Sequence, residues 1–281
     1  MDSSEFIGIV GTGRNGTYAL SKILNLDIHS EVHHEYNFEP MLKLGFLKHH
    51  CIISESYADE VFRESHYSAT YYSQFDRFID CSNALSWLIP SAASQFSKYK
   101  IVDVPRNGRR VVSSFYNKFK DLMYPVEAVD TMNYWLMNQE SSIQFPPPHK
   151  KYWRILPLIK FDKSISKSDT NFSRYRFSAL CNYWVQTNKI IQNDMRNLSP
   201  HLVHQVKFEE LLEPKGFKGL ADFLEIPATP EMLEKLKHPI NVHEPINYNL
   251  TYEQEEIFLE ICGSTMVELG YDPKDDYAVK Y

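Results

Sequence analysis

The sequence predicts an α/β fold built on a mainly parallel sheet. Three observations carry the prediction. Short apolar runs alternate with stretches of helical periodicity, as in chains that feed parallel strands through helices. The first apolar run leads straight into a glycine-rich turn and then a helix. The 281 residues, 43% hydrophobic and 14% aromatic, suffice for one large core or two small ones.

The elements follow in order. Phe6, Ile7, Gly8, Ile9 and Val10 read as a buried strand. The turn Gly11-Thr12-Gly13-Arg14-Asn15-Gly16 precedes a helix over 17–24, with Ala19, Leu20, Ile23 and Leu24 facing inward. A second strand spans 28–35 and ends in His33-His34-Glu35-Tyr36; residues 39–64 are mixed and helical in parts. A third strand covers 75–80, followed by a polar turn at Cys81-Ser82-Asn83 and a helical stretch over 84–96 interrupted by Pro90. Residues 99–104 form a fourth strand, and Pro105-Arg106-Asn107-Gly108 leads into a helix from Arg109 to about Lys120.

The pattern weakens over 121–173, which holds a helical stretch near 126–138, a proline run and a Ser/Lys/Asp-rich segment. It reads as an insertion, a lid with mobile parts, because polar and proline-broken segments bury little apolar surface. A long helix at 174–195, a fifth strand at 202–208 and a helical tail broken at Pro214, Pro227, Pro230, Pro239 and Pro245 complete the chain. No internal repeat and no linker divides it, so a single domain over 1–281 is expected.

Composition excludes several classes. A net charge of −6 and a pI near 6.0 argue against a general nucleic-acid binder and confine any anion site to a local patch. The four cysteines, Cys51, Cys81, Cys181 and Cys262, show no CxxC spacing, which argues against a zinc site. No signal peptide precedes the first strand and no apolar run is long enough to span a bilayer, so a cytoplasmic protein is expected; a lumenal domain cut from its anchor would read the same.

The glycine turn is the first candidate site. Unpaired backbone N–H groups and the dipole of the following helix favour an anion there. Two nucleotide motifs nearly fit. Gly11, Gly13 and Gly16 spell GxGxxG, the dinucleotide fingerprint; Gly11 and Gly16 also spell a P-loop in which Thr17 replaces the lysine and Tyr18 the magnesium-binding Ser/Thr. ATP–magnesium chemistry is therefore not expected. The second candidate is Arg106, at the end of the fourth strand, with Ser114 eight residues later in the next helix. Arginine offers a planar fork suited to phosphate oxygens, and the serine completes the cradle. Ligands of such sheets sit beyond the carboxyl ends of the strands, where the glycine loop, His33 to Tyr36, Asp80 to Asn83 and Arg106 all fall.

These two signatures, Arg14-Asn15-Gly16-Thr17 after a strand and Arg106 with Ser114 after another, resemble those of the sulfotransferases that use PAPS, 3′-phosphoadenosine 5′-phosphosulfate. Asn182-Tyr183-Trp184-Val185 and Val206-Lys207-Phe208-Glu209-Glu210-Leu211-Leu212 are softer matches, and the resemblance runs from about Phe6 to Leu224. It implies a P-loop-like three-layer fold, PAPS as co-substrate, 3′,5′-ADP as product and no metal. It also implies Gly13, Arg14, Asn15, Gly16, Thr17, Arg106 and Ser114 as donor-binding residues. Arginine rather than lysine in the first loop resembles the carbohydrate, tyrosylprotein and bacterial members. The chain departs from the cytosolic members in two places. Tyr18-Ala19 stands where a tryptophan stacks on adenine, leaving Tyr18 or Trp184 for that contact. The basic Arg-Lys-Gly loop is missing, leaving Lys118 to supply the charge.

The resemblance implies Glu35, at the end of the second strand, as general base, with His34 beside it and Arg14 stabilising the leaving phosphate. On a continuing strand His34 and Glu35 point to opposite faces unless the chain turns. His29, His33, His34 and Glu35 are too crowded along one strand for joint metal ligation. Asp80, Ser82 and Asn83, and the lysines and aromatics at His149 to Trp153, are candidates for holding the acceptor, which is a small alcohol, a lipid, a carbohydrate or a peptide tyrosine. Two rival readings remain at this stage. One is a nicotinamide-dependent oxidoreductase with Glu31 or Glu35 on the ribose. The other is a nucleotide-binding module without catalysis.

Overall fold

A computed structural model describes residues 4–118, 172–238 and 249–275. Among the described residues, five strands form one sheet in the order β2-β3-β1-β4-β5, with every neighbouring pair parallel. They are β1 (Glu5–Val10), β2 (Ser30–His34), β3 (Arg77–Cys81), β4 (Tyr99–Asp103) and β5 (Val203–Gln205). The helices between them are α1 (Thr17–Leu24), α2 (Phe38–His49), α3 (Glu55–Tyr72), α4 (Ile89–Gln95) and α5 (Gly108–Lys118). Beyond these lie α6 (Phe172–Arg196), α7 (Phe208–Leu211), α8 (Pro214–Leu224), α9 (Pro230–Leu236) and α10 (Tyr252–Glu268).

The central strand explains the layering. A parallel strand covered on both faces needs apolar side chains in both directions. Phe6 and Val10 join the core under α2 to α6 and α10, whereas Ile7 and Ile9 join the core under α1, α8 and α9. All four are fully buried, each side chain contributing about 1.5–3 kcal/mol of apolar transfer.

The strand order positions the site. The chain leaves β1 toward β2 on one side and leaves β4 toward β5 on the other, so the order reverses between β1 and β4. Ligands of open α/β sheets bind at such a point. β3 separates β1 from β2, unlike the dinucleotide-binding order, in which β2 adjoins β1. An acid at the end of β2 is thus one strand too far away for the ribose role that the oxidoreductase reading requires.

Several predicted boundaries shift. β2 starts at Ser30 rather than Ile28, whose side chain is 82% exposed. β5 ends at Gln205 instead of Phe208. Val206 N–H and Phe208 N–H still donate to the carbonyls of Asp103 and Pro105, but β4 has ended and Phe208 opens α7. Pro90, Pro214 and Pro230 begin helices rather than breaking them, as suits a residue without an N–H in a first turn. Ala19 is only half-buried, and Ser21 takes its place on the inward face of α1. The expected insertion at 121–173, save Phe172 and Ser173 at the start of α6, and the stretches 126–138 and 149–153 lie outside the described residues. Among the described residues no helix is long and apolar enough to cross a membrane.

One buried carboxyl gives a stability prediction. Asp103 is fully buried; one oxygen accepts from Gln205 Nε2 at 2.8 Å and the other has no partner among the described residues. Burial pushes its pKa up from 3.8 to about 7, and the Gln205 bond offsets this only in part. Between those values the folded chain holds a proton that the unfolded chain has released, so stability falls as pH rises through this window. Asp103→Asn removes the penalty, on the order of 4 kcal/mol above the window. Urea midpoints of wild type and variant at pH 5 and pH 8 check it: the gap must widen at pH 8, and an equal gap at both rejects the effect.

Candidate active site

The loop between β1 and α1 is held from four sides. Ser86, in the 3-10 helix Asn83–Trp87, accepts from Gly11 N–H at 3.1 Å and donates to the Gly11 carbonyl at 2.8 Å. Asn15, fully buried, donates through Nδ2 to the Val104 carbonyl at 3.0 Å and so ties the loop to the end of β4. Tyr183 on α6 donates its hydroxyl to the Thr12 carbonyl at 2.7 Å. Arg106 Nη1 donates to the Arg14 carbonyl at 2.6 Å.

This bracing is needed because Gly13, Arg14 and Gly16 all adopt left-handed backbone, with φ of 74°, 56° and 83°. For a non-glycine residue such as Arg14 that costs about 1–3 kcal/mol and persists only where the surroundings impose it. Gly16 caps α1 without a side-chain bond, and the first turn contains no acidic residue. The first N–H groups of the helix therefore face the loop with the positive end of the dipole.

The two predicted anion signatures meet here. Arg14 Nε donates to Ser114 Oγ at 2.9 Å across a separation of 100 residues. Arg106 lies with its guanidinium 4.5 Å from the Phe208 ring centre, and its carbonyl accepts from Trp184 Nε1 at 3.2 Å. Arg106 is thus a brace of the loop as well as a cation beside it.

Beyond β2 the chain turns. Glu35 N–H donates to the Cys81 carbonyl at 3.2 Å, and Glu35 itself has φ 59°. Burial raises the Tyr183 pKa above its usual value, the neighbouring Asn83 lowers it, and the charge of Glu35 raises it further. The charge of Glu35 is thus felt at the hydroxyl that touches Thr12 of the loop. His34 takes the other side. Its ring meets Tyr18 edge-on at 5.2 Å, and burial, then the charge of Lys22, lowers its pKa from 6.5. It is neutral at pH 7.

Two solved structures align with this architecture over nearly all of the chain. The sulfotransferase domain from the curacin biosynthetic pathway matches 97% of this chain and 99% of its own, at 12% identity and a TM-score of 0.50. Sulfotransferase STF9 from Mycobacterium avium matches 97% of this chain and 78% of its own, also at 12% identity and 0.50. The chain has the sulfotransferase fold. No protein-family model matches it, and no curated protein sequence does.

Within this sulfotransferase fold, Gly13, Arg14, Asn15, Gly16, Thr17, Arg106 and Ser114 gather at one strand-end crevice, with Tyr18, 37% exposed, at its edge. Trp184 does not offer a face to adenine: it is fully buried, and a Cβ on Gly108 would press on its indole at 3.0 Å. Lys118 closes α5, and its side chain lies outside the described residues. Asp80 is fully buried, with its carboxylate on the Tyr36 N–H, and does not face an acceptor. His33 pairs with Glu31 at 2.9 Å and His29 with Asp76 at 3.3 Å. Among the described residues no three His, Cys, Asp or Glu groups gather as metal ligands. Ser86, through Gly11, and Phe208, through the Arg106 guanidinium, support the loop without having been singled out for it. Each acts through a contact distant in sequence that leaves no local pattern.

Proposed function

We propose that the chain is a sulfotransferase that moves the sulfuryl group of PAPS to an acceptor hydroxyl and releases 3′,5′-ADP. The observation that carries this reading is the Arg14–Ser114 contact, which joins both anion signatures into one cradle. Glycine at position 13 also fits a close approach to the loop backbone, since a Cβ there would meet Asn83 at 3.3 Å and Phe115 at 3.4 Å. Arg14, the loop N–H groups and Ser114 would hold the donor, with Tyr18 beside adenine and Lys118 adding charge.

PAPS supplies a sulfuryl group already bonded to a stable leaving phosphate. Glu35 takes the proton of the acceptor hydroxyl as its oxygen bonds to sulfur. Arg14 and the N–H groups of the α1 terminus receive the charge that appears on the phosphate oxygen as the sulfur–oxygen bond breaks. Donors fixed where charge develops are the usual source of such stabilisation. His34, neutral beside Tyr18, packs against the residue placed on adenine. The reading needs no metal, and the acceptor class is a small alcohol, a lipid or a carbohydrate.

Titration calorimetry in EDTA tests the reading, with 3′,5′-ADP against 5′-ADP and NADH. Binding of 3′,5′-ADP at least about tenfold tighter than 5′-ADP is expected, a difference of roughly 1.4 kcal/mol. NADH binding in its place overturns the reading. Binding of 3′,5′-ADP without transfer from PAPS to p-nitrophenol, octanol, N-acetylglucosamine or a tyrosyl peptide identifies a non-catalytic module instead.

A further inference from the structure

The turn that carries Glu35 is built from conformations its residues disfavour. Glu35 has φ 59° and Asn37 has φ 49°, and neither is glycine. Left-handed backbone at side-chain-bearing residues persists where neighbours over-determine it. Two side chains do so here. Asn37 Nδ2 donates to Ser65 Oγ at 2.5 Å. Between the two strained residues, Tyr36 N–H donates to Asp80 Oδ1 at 3.0 Å.

Asp80 is an unusual residue for its place. It sits in β3 between Ile79 and Cys81 and is fully buried. A carboxylate there is unfavourable unless it is paired and hydrogen-bonded. Its second oxygen lies 3.4 Å from Nε2 of His66, which is also fully buried and stacks on Phe62 at 4.5 Å. Burial raises the Asp80 pKa, while His66, the Tyr36 N–H and His33 draw it back down. The Tyr36 ring is held as tightly, edge-on to His66 at 5.2 Å, to Phe78 at 5.3 Å and to His33 at 5.0 Å. An apolar side chain would fill this part of the strand equally well, but it would leave the Tyr36 N–H unpaired.

We propose that Asp80, backed by His66, is a positioning residue for Glu35: its carboxylate fixes the left-handed turn and so aims the base at the acceptor. This rests on the reading of Glu35 as general base. A base displaced by about 1 Å loses on the order of 10²-fold in rate.

A double-mutant cycle tests it, using PAPS with p-nitrophenol as probe acceptor and 3′,5′-ADP calorimetry alongside. Asp80→Ala is expected to lower kcat about 10²-fold, with the KM for PAPS and the 3′,5′-ADP affinity within about threefold. Asp80→Asn keeps an acceptor oxygen for Tyr36 and is expected to recover most of the loss. In a Glu35→Gln background, Asp80→Ala is expected to add nothing, because both changes act through one group. An equal loss in both backgrounds means a structural role only and overturns the proposal, as does wild-type kcat in Asp80→Ala. Should Asp80→Ala not fold, Asp80→Leu, which fills the space without an acceptor, takes its place. Should Glu35→Gln or the wild type show that the base reading is wrong, amide exchange at Tyr36 decides separately. Faster exchange in the Asp80 variant supports the held turn, and unchanged protection overturns it.

Discussion

Glu35→Gln is expected to lower kcat by about 10²–10⁴-fold while the affinity for 3′,5′-ADP stays within about threefold. The split follows from where the carboxylate stands. The proposed donor cradle consists of Arg14, Ser114 and the loop N–H groups, and the braces of the loop come from Ser86, Val104, Tyr183 and Arg106. Glu35 contributes to none of those contacts. Its charge is felt at the Tyr183 hydroxyl, which itself donates to the Thr12 carbonyl of the loop. Glutamine keeps the volume and the hydrogen-bonding oxygen but accepts no proton, so the loss should fall on the chemical step. His34→Asn is the control. Its ring packs on Tyr18 beside Lys22, on the other side of the strand, and its loss should cost well under the Glu35 effect. A larger loss in His34→Asn than in Glu35→Gln would transfer the base role to His34. Equal donor affinity and wild-type kcat in Glu35→Gln would remove the base from this turn altogether.

What the sequence made legible follows the range of the contacts involved. β1, the glycine loop and α1 were readable because each depends on its own residues: an apolar run, glycines where φ is positive, and a periodic helix. The second signature was readable as Arg106 and Ser114, but their meeting with Arg14 depends on the order of the strands. Trp184 was misplaced because an aromatic residue on a helix gives no sign of which face it takes; here it fills the core under α5. β5 was overextended because Val206 and Phe208 keep alternating after β4 has run out of partners. Glu35, expected as the last residue of β2, falls one residue past its end, and its left-handed turn was invisible. The turn is imposed by Asp80 and Ser65, 44 residues from Tyr36 and 28 from Asn37 respectively. The strain at the site is thus a tertiary property, written in contacts that no local window contains.

Gly16→Ala is expected to damage the loop severely, because two independent constraints meet at that residue. Its φ of 83° is one that an L side chain resists, at about 1–2 kcal/mol. A Cβ placed there would also overlap the Phe208 ring, and overpacking of this kind costs typically 1–3 kcal/mol more. Together these amount to about 2–5 kcal/mol, a large share of the roughly 5–15 kcal/mol that holds an ordinary domain folded. The damage should not stop at stability. Phe208 lies under the Arg106 guanidinium, and Arg106 holds the Arg14 carbonyl, so a displaced ring loosens the residue that braces the cradle. Urea unfolding and 3′,5′-ADP calorimetry on the same samples should show both losses, with affinity reduced at least about tenfold. Adding Phe208→Leu separates the two causes. It relieves the overlap but not the backbone conformation, so stability should recover in part, whereas affinity should not, because Arg106 has lost the ring beneath it. Full recovery of both would mean that Phe208 is only an obstacle to Gly16, and no recovery of stability would mean that the left-handed turn alone requires glycine.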